Sequence, residues 1–156
     1  MTAMKTLDRR SVLLLAAALA AAPACGAPTR RFAIKVYKDA SCGCCTAWAE
    51  RLTDAGFEVT IDDSQDMAAI KTKFGVPDDL ASCHTGVIDG YTIEGHVPPD
   101  DVKRLVNKRP KAKGLAVPGM PVNSPGMEVP GMADEAYTVW LFQKDGTRTA
   151  FAKHGG

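Results

Sequence analysis

The stretch Phe32-Ala33-Ile34-Lys35-Val36-Tyr37, followed by Lys38 to Ser41 and then Cys42-Gly43-Cys44-Cys45, reads as a strand that hands over to a helix through a cysteine-rich turn. Apolar and polar or small residues alternate from Phe32 to Tyr37, and β-formers dominate, so a half-buried strand is expected there. Ser41 is a good residue to cap the following helix. From Cys44 to Ala55 the residues Trp48, Leu52 and Ala55 recur at helical spacing, and Gly56 is a stop signal.

Working outward toward the C-terminus, Phe57 to Ile61 alternates again and predicts a second strand. Met67, Ile70 and Phe74 predict a second helix that ends at Gly75-Val76-Pro77. A loop from Asp78 leads to two short β-like runs, Thr85 to Ile88 and Tyr91 to His96, joined by Asp89-Gly90, a strong hairpin signal. Pro98-Pro99-Asp100 opens a third helix over Asp101 to Asn107. Lys108 to Ala133 has no period. Tyr137 to Gln143 and Thr147 to Ala152 then flank Lys144-Asp145-Gly146 as a last hairpin. The order is α/β: a thioredoxin-like βαβα-ββα domain with an added Pro/Gly/Met-rich loop and a C-terminal β-hairpin. His154, two residues from the end, is read as part of a frayed tail.

Toward the N-terminus, Lys5, Arg9 and Arg10 precede an unbroken apolar run, Val12 to Ala22. That run is about half of the ~20 residues a membrane-spanning helix needs. Basic head, short apolar middle and small-residue end together predict a signal peptide over residues 1–24, hence a periplasmic protein with no transmembrane segment in its mature chain. Arg9-Arg10 followed by Ser11-Val12-Leu13 also looks like a twin-arginine signal, which would export the protein folded. Cleavage after Ala24 would leave Cys25 first. Ala22-Pro23-Ala24 lacks the branched apolar residue that a lipid-attachment site carries three places before its Cys, so Cys25 is read as a spare thiol. Residues 25–31 form a short linker, and 32–154 a single domain large enough to bury a core without disulfides.

Of the 156 residues, 46% are hydrophobic and 24% charged, with a net charge of +1. A chain so apolar is not disordered throughout. A chain so nearly neutral offers no strongly basic surface, so nucleic acid is not an expected partner. The five cysteines are therefore free to do chemistry.

Three of them, Cys42, Cys44 and Cys45, stand where the first strand passes into the first helix. Unpaired amides at a helix start carry partial positive charge, which lowers thiol pKa values and favours thiolates. Thiolates select soft Cu(I) or borderline Zn. Cys42 and Cys45 alone form the C-x-x-C of a redox pair, and in an oxidising compartment they could equally form a structural disulfide. Cys44 is what favours metal: a third thiol beside a redox pair invites scrambling, whereas a metal cluster can use it as a bridge.

Cys83-His84 lies in the loop before the first hairpin, which thioredoxin-like folds bring against the first helix. Pro usually stands in that loop, and none occurs between Pro77 and Pro98. A soft ligand in its place fits a metal site, so Cys83 joins the candidate ligands. His96, at a strand exit, could ligate or shuttle protons. Pro118-Gly119-Met120, Pro125-Gly126-Met127 and Pro130-Gly131-Met132 each suit a type II turn that presents a Met from a rigid corner. Thioether sulfur holds Cu(I) and has little affinity for Zn, which favours copper, although adaptable Met also simply anchors loops.

With these residues in view, the chain resembles the CopG-type family of exported bacterial copper-resistance proteins over roughly Ile34 to Phe151. The matching stretches are Cys42-Gly43-Cys44-Cys45 with Trp48, Ser82-Cys83-His84-Thr85, Gly90-Tyr91 running into Glu94-Gly95-His96-Val97-Pro98, and Gly114 to Pro121 with Ser124-Pro125-Gly126-Met127. Asn123 stands where the family loop is expected to carry Gly, and the Met132 triplet lies outside the pattern. The resemblance implies a thioredoxin-like fold that binds copper through Cys42, Cys44, Cys45 and Cys83, with His84, His96, Met120 and Met127 as further contributors. The expected function is thus Cu(I) binding, as a thiolate-bridged cluster, in copper resistance or homeostasis, with other periplasmic copper carriers or exporters as partners. The rival readings are a redox enzyme, either a Cu(I)/Cu(II) oxidoreductase or a thiol–disulfide exchanger using Cys42 and Cys45, and a structural Zn site.

Overall fold

A computed structural model describes residues 31–156. The expected signal peptide, the Cys25 question and nearly all of the linker lie outside the described residues.

Three helices and seven strands follow in the order β1 (Ala33–Lys38), α1 (Gly43–Asp54), β2 (Glu58–Asp63), α2 (Met67–Phe74), β3 (His84–Ile88), β4 (Tyr91–Glu94), α3 (Pro99–Lys108), β5 (Gly114–Ala116), β6 (Tyr137–Phe142) and β7 (Arg148–His154). A short 3-10 turn, Asp78–Leu80, precedes β3. The expected βαβα-ββα order is therefore present. All strands share one sheet in the order β2-β1-β3-β4-β5-β6-β7. The β1/β2 and β4/β5 pairs are parallel and the others antiparallel. Among the described residues no helix is long and apolar enough to cross a membrane.

Both layers of the core follow from strand alternation. Leu115 and Val139 pack with Ile34, Val36, Trp48, Leu52, Val102 and Leu105, which brings α1 and α3 onto a common core. Their neighbours Ala116 and Phe142 point the other way, against Leu80. Asp89 and Gly90 both take positive φ, 48° and 86°, as a two-residue hairpin of type I′ requires.

Four features depart from the sequence reading. The N-cap of α1 is Cys42, with no side-chain cap bond, rather than Ser41. Ser41 instead donates from its backbone N–H and hydroxyl to Asp39 Oδ1, a local turn that competes with capping. The aperiodic stretch after α3 hides β5, whose three residues are too few to show a period. The last hairpin is not a separate appendage: β6 pairs with β5, so it continues the main sheet. His154 is not frayed, because it belongs to β7 and its Nε2 lies 2.6 Å from Asp101 Oδ2.

Candidate metal centre

Sheet topology decides which loops can meet. β3 is antiparallel to β1, so the start of β3 (His84) sits beside the end of β1 (Lys38), where the chain turns into α1. β4 is antiparallel to β3, and its exit at Glu94 faces Thr85. Three segments distant in sequence therefore converge at one end of the sheet: Cys42–Cys45, Ser82–His84 and Glu94–His96.

At the first of these, Cys42 caps α1 with β-region dihedrals, φ −76° and ψ 95°. The first turn holds no acidic residue, so its free amides are not neutralised by a side chain. Cys45 is fully buried under the helix, while Cys42 and Cys44 are half-buried. The sulfurs of Cys42, Cys44, Cys45 and Cys83 all lie within 4.8 Å of one another. Two sulfurs on one ion can be at most about twice a metal–sulfur bond apart, or ~4.6 Å for bonds of ~2.3 Å as in zinc sites. The four are thus spaced closely enough to hold a metal after small adjustments. In this structure Cys42 and Cys45 are joined by a disulfide, leaving Cys44 and Cys83 as free thiols among the described residues. Cys44 Sγ lies 3.6 Å from Cys42 Sγ.

Cys83 also belongs to a second group, with His84 and His96, whose ligand atoms again lie within 4.8 Å of one another. His96 Nδ1 donates to the carbonyl of Pro125 at 2.9 Å. A carbonyl only accepts, so the proton sits on Nδ1 and Nε2 keeps a lone pair. That lone pair is 3.2 Å from Cys83 Sγ. Fixing a histidine through its remote nitrogen is the usual way in which proteins orient a ligating imidazole. His84 Nδ1 lies 3.3 Å from the same sulfur. Its ring is fully buried, with its centroid 4.2 Å from that of Trp48, and Nε2 has no hydrogen-bond partner among the described residues. A buried polar atom left unpaired costs about 1–3 kcal/mol, and such atoms in native folds often mark functional sites.

Electrostatics keep these groups neutral in the absence of a cation. Burial, with Cys44 beside it, pushes the Cys83 thiol up to about 11. Burial also holds His84 well below the usual imidazole range, aided by His96 and Lys71, and lowers His96. A bound cation would reverse the balance at Cys83, because it stabilises the thiolate that burial alone disfavours.

The loop that carries Cys83 is fastened by a carboxylate that sequence reasoning missed. Glu94 is fully buried and accepts from the Ser82 N–H (2.7 Å), from the Thr85 hydroxyl (2.7 Å) and from Lys71 Nζ. Next to it, Gly95 has φ +71°, and a Cβ there would come within 2.4 Å of the Val117 carbonyl oxygen and 2.6 Å of Ser82 Oγ. The only trace of this in the sequence is Glu94-Gly95 standing beside His96, with no period to single it out.

The methionine loop lies across the same end. Ser124 to Met127 closes as a turn through Met127 N–H to Ser124 O (2.7 Å), and Val129 to Met132 through Met132 N–H to Val129 O (3.2 Å). The Met120 triplet shows no such bond; Gly119 O instead accepts from Ser82 Oγ at 2.6 Å, tying that corner to the Cys83 loop. Gly126 (φ +86°) sits so close to α1 that a Cβ would meet Trp48 N at 2.6 Å and Cys44 O at 2.9 Å. Met127 is half-buried, whereas Met120 and Met132 are about half exposed. Asn123 takes φ +62°, the conformation for which Gly is expected. Asn tolerates it, and its side chain bonds Met132 O, Asp134 Oδ1 and the Val129 N–H.

The family model described as "Protein of unknown function, DUF411" matches residues 80–127, which include Cys83, both site histidines, Met120 and Met127. Two solved structures are similar over most of the chain. "Copper resistance protein copG- Form 1" is 46% identical with a TM-score of 0.76, covering 81% of this chain and 100% of that one. "Copper resistance protein copG- Form 2" gives the same identity and TM-score over 80% and 99%. No curated protein matches this chain.

Proposed function

The chain belongs to the family of the copper resistance protein CopG, and on that premise we propose that it is a periplasmic copper-binding protein. It would hold Cu(I) on Cys42, Cys44, Cys45 and Cys83, with His84 and His96 completing a second subsite. The single observation that carries the proposal is the sharing of Cys83 between a four-sulfur group and a Cys-His-His group. A thiolate common to both can bridge ions, which favours a multinuclear cluster. Thiolates accept Cu(I) or zinc, and a thioether from the methionine loop would tip the choice toward Cu(I). Met120 and Met127 would shield or complete the site; in support, the neighbouring Gly119 accepts from Ser82 and Gly126 lies against the start of α1. The basic head and apolar run within residues 1–24 support export, and copper carriers or exporters of that compartment are the natural donors and acceptors.

The test is anaerobic titration of the fully reduced protein with Cu(I) against a chromophoric chelator. Binding should collapse in the Cys42→Ser/Cys45→Ser variant. Full copper stoichiometry in that variant would overturn the reading.

The Cys42–Cys45 disulfide at the helix start favours a second reading, thiol–disulfide exchange. Reduction of a model disulfide that needs only Cys42 and Cys45, survives Cys44→Ser and is abolished by copper would favour that reading over copper holding.

A further inference from the structure

The turn from Ser124 to Met127 closes through Met127 N–H to Ser124 O at 2.7 Å, with Pro125 and Gly126 at its two central positions. Gly126 has φ +86°, close to the ~+80° of a type II turn. Type I and type II turns differ by a flip of the one peptide group between the central residues. Here that group, the Pro125–Gly126 peptide, supplies the carbonyl that holds His96 Nδ1. The aim of His96 therefore depends on which way a single peptide unit faces. Glycine takes either sign of φ with similar ease, so Gly126 does not by itself choose.

The same peptide is held from its other side. It is trans, so its C=O and N–H point in opposite directions. The Gly126 N–H donates to Glu128 Oε2 at 3.0 Å, and Glu128 Oε1 accepts from Arg51 Nε at 2.9 Å. Arg51 lies on α1, the helix that Cys42 caps. An unbroken line of hydrogen bonds thus runs from α1 through Glu128 and one peptide to His96, whose Nε2 stands 3.2 Å from Cys83 Sγ. A carboxylate accepting from the N–H of a peptide also makes its carbonyl a better acceptor. The side chains of Arg51 and Glu128 are 51% and 44% exposed, and pairs so exposed add little to stability. What this pair offers is local: it selects the orientation of the peptide.

We propose that Glu128 is a positioning residue for His96. By accepting from the Gly126 N–H it keeps the Pro125 carbonyl turned toward the imidazole, so that the ring proton stays on Nδ1 and the Nε2 lone pair faces Cys83. Without Glu128 the peptide is free to flip, Nδ1 loses its acceptor, and the proton is shared between the two ring nitrogens. The proposal rests on the copper-holding reading for the role of His96 as a ligand.

The test uses the full chain, reduced and first without metal. Long-range proton–nitrogen NMR of the imidazoles should place the His96 proton on Nδ1 in wild type. Glu128→Ala should show a mixture of tautomers with little change in urea midpoint. Glu128→Gln, whose amide oxygen still accepts from Gly126, should restore most of the wild-type signal, and Arg51→Met should shift it less than Glu128→Ala. Cu(I) is then titrated against a chromophoric chelator. Glu128→Ala should weaken the Cys-His-His subsite about tenfold, the low end for loss of an orienting partner, and leave the four-sulfur group unchanged. Added to His96→Ala, it should have no further effect. A wild-type His96 tautomer in Glu128→Ala overturns the proposal, as does a copper loss that recurs in full in the His96→Ala background. The nitrogen spectrum needs no metal. A wild-type protein that takes up no Cu(I) would therefore sink the copper reading alone, and the tautomer would still decide the role of Glu128.

Discussion

His96 Nε2 lies 3.2 Å from Cys83 Sγ while its other ring nitrogen is bonded to the Pro125 carbonyl, so one imidazole links the methionine loop to the sulfur centre. A ligand oriented in this way loses its aim when either side of the link is removed. His96→Ala should weaken copper at the Cys-His-His subsite by about 10–100-fold or more, the range seen when orienting partners are deleted. The four-sulfur group should still bind. Copper stoichiometry and chelator competition on the reduced variant would show this, and unchanged stoichiometry and affinity would argue against His96 as a ligand.

On the proposed copper-binding function, the disulfide should make copper uptake depend on redox state. With Cys42 and Cys45 bonded, only Cys44 and Cys83 remain as thiols among the described residues. Reduction should raise the copper bound per chain, and thiol counting before and after reduction should rise by two for this pair. Equal uptake by oxidised and reduced protein would place the ion elsewhere.

Gly126 holds the loop against α1 in a conformation and a space that only glycine fills. Gly126→Ala forces a Cβ onto Trp48 N and Cys44 O at φ +86°. The backbone strain alone costs about 1–3 kcal/mol. Glu128, which accepts from the Gly126 N–H and pairs with Arg51, is exposed and cannot compensate. We expect a lower urea midpoint, together with faster copper release as the loop lifts. A wild-type midpoint would mean that the loop relaxes without strain.

Glu94 is buried with Lys71 as its ionic partner, and it ties down Ser82. Removing one member of a buried pair typically costs about 3–5 kcal/mol, because the other charge is left uncompensated. Glu94→Ala should approach that loss in chemical denaturation, because it also leaves the Ser82 N–H and the Thr85 hydroxyl without their acceptor. Lys71→Met should cost less, since burial already favours the protonated form of Glu94 and it can take up a proton. The Cys83 thiol should also become more reactive toward alkylating agents in Glu94→Ala as its loop loosens.

Tyr137 reports on the contact between β6 and β7, where it stacks on His154. Its phenol is raised from 10.0 to about 12, first by burial and then by Asp101 and Asp134. A group that holds its proton more tightly when folded contributes stability that is complete below its unfolded pKa and is lost as pH climbs through the folded value. Stability should therefore decline between pH ~10 and ~12 more steeply in wild type than in Tyr137→Phe. Ultraviolet titration should show one tyrosine with a midpoint near 12 that is missing from the variant.

Local patterns carried much of this fold. Met67 to Phe74 was legible as a helix to the residue, because the helical spacing and Gly75 agree; the structure adds Asp66 as its N-cap, accepting from the Ala69 N–H. The cysteine motif was legible because three thiols beside a strand end are chemically unusual. β5 was not, since three residues give no period and its strand state comes only from pairing with β4 and β6. His154 looked like a loose end for a similar reason: nothing near it in sequence reveals Asp101, 53 residues away.

By itself, then, the sequence determined the element types other than β5, the glycines at forced turns and the soft-donor chemistry of Cys42, Cys44, Cys45 and Cys83, because these depend on side-chain identity and short-range geometry. Only the tertiary structure decided that Cys83 stands between two ligand groups, that Pro125 aims His96, that Glu94 fastens the Cys83 loop, and that His154 meets Asp101. Those are through-space relations, created when antiparallel β3 and β4 return the chain to the end of β1 and when β5 draws the last hairpin into the sheet.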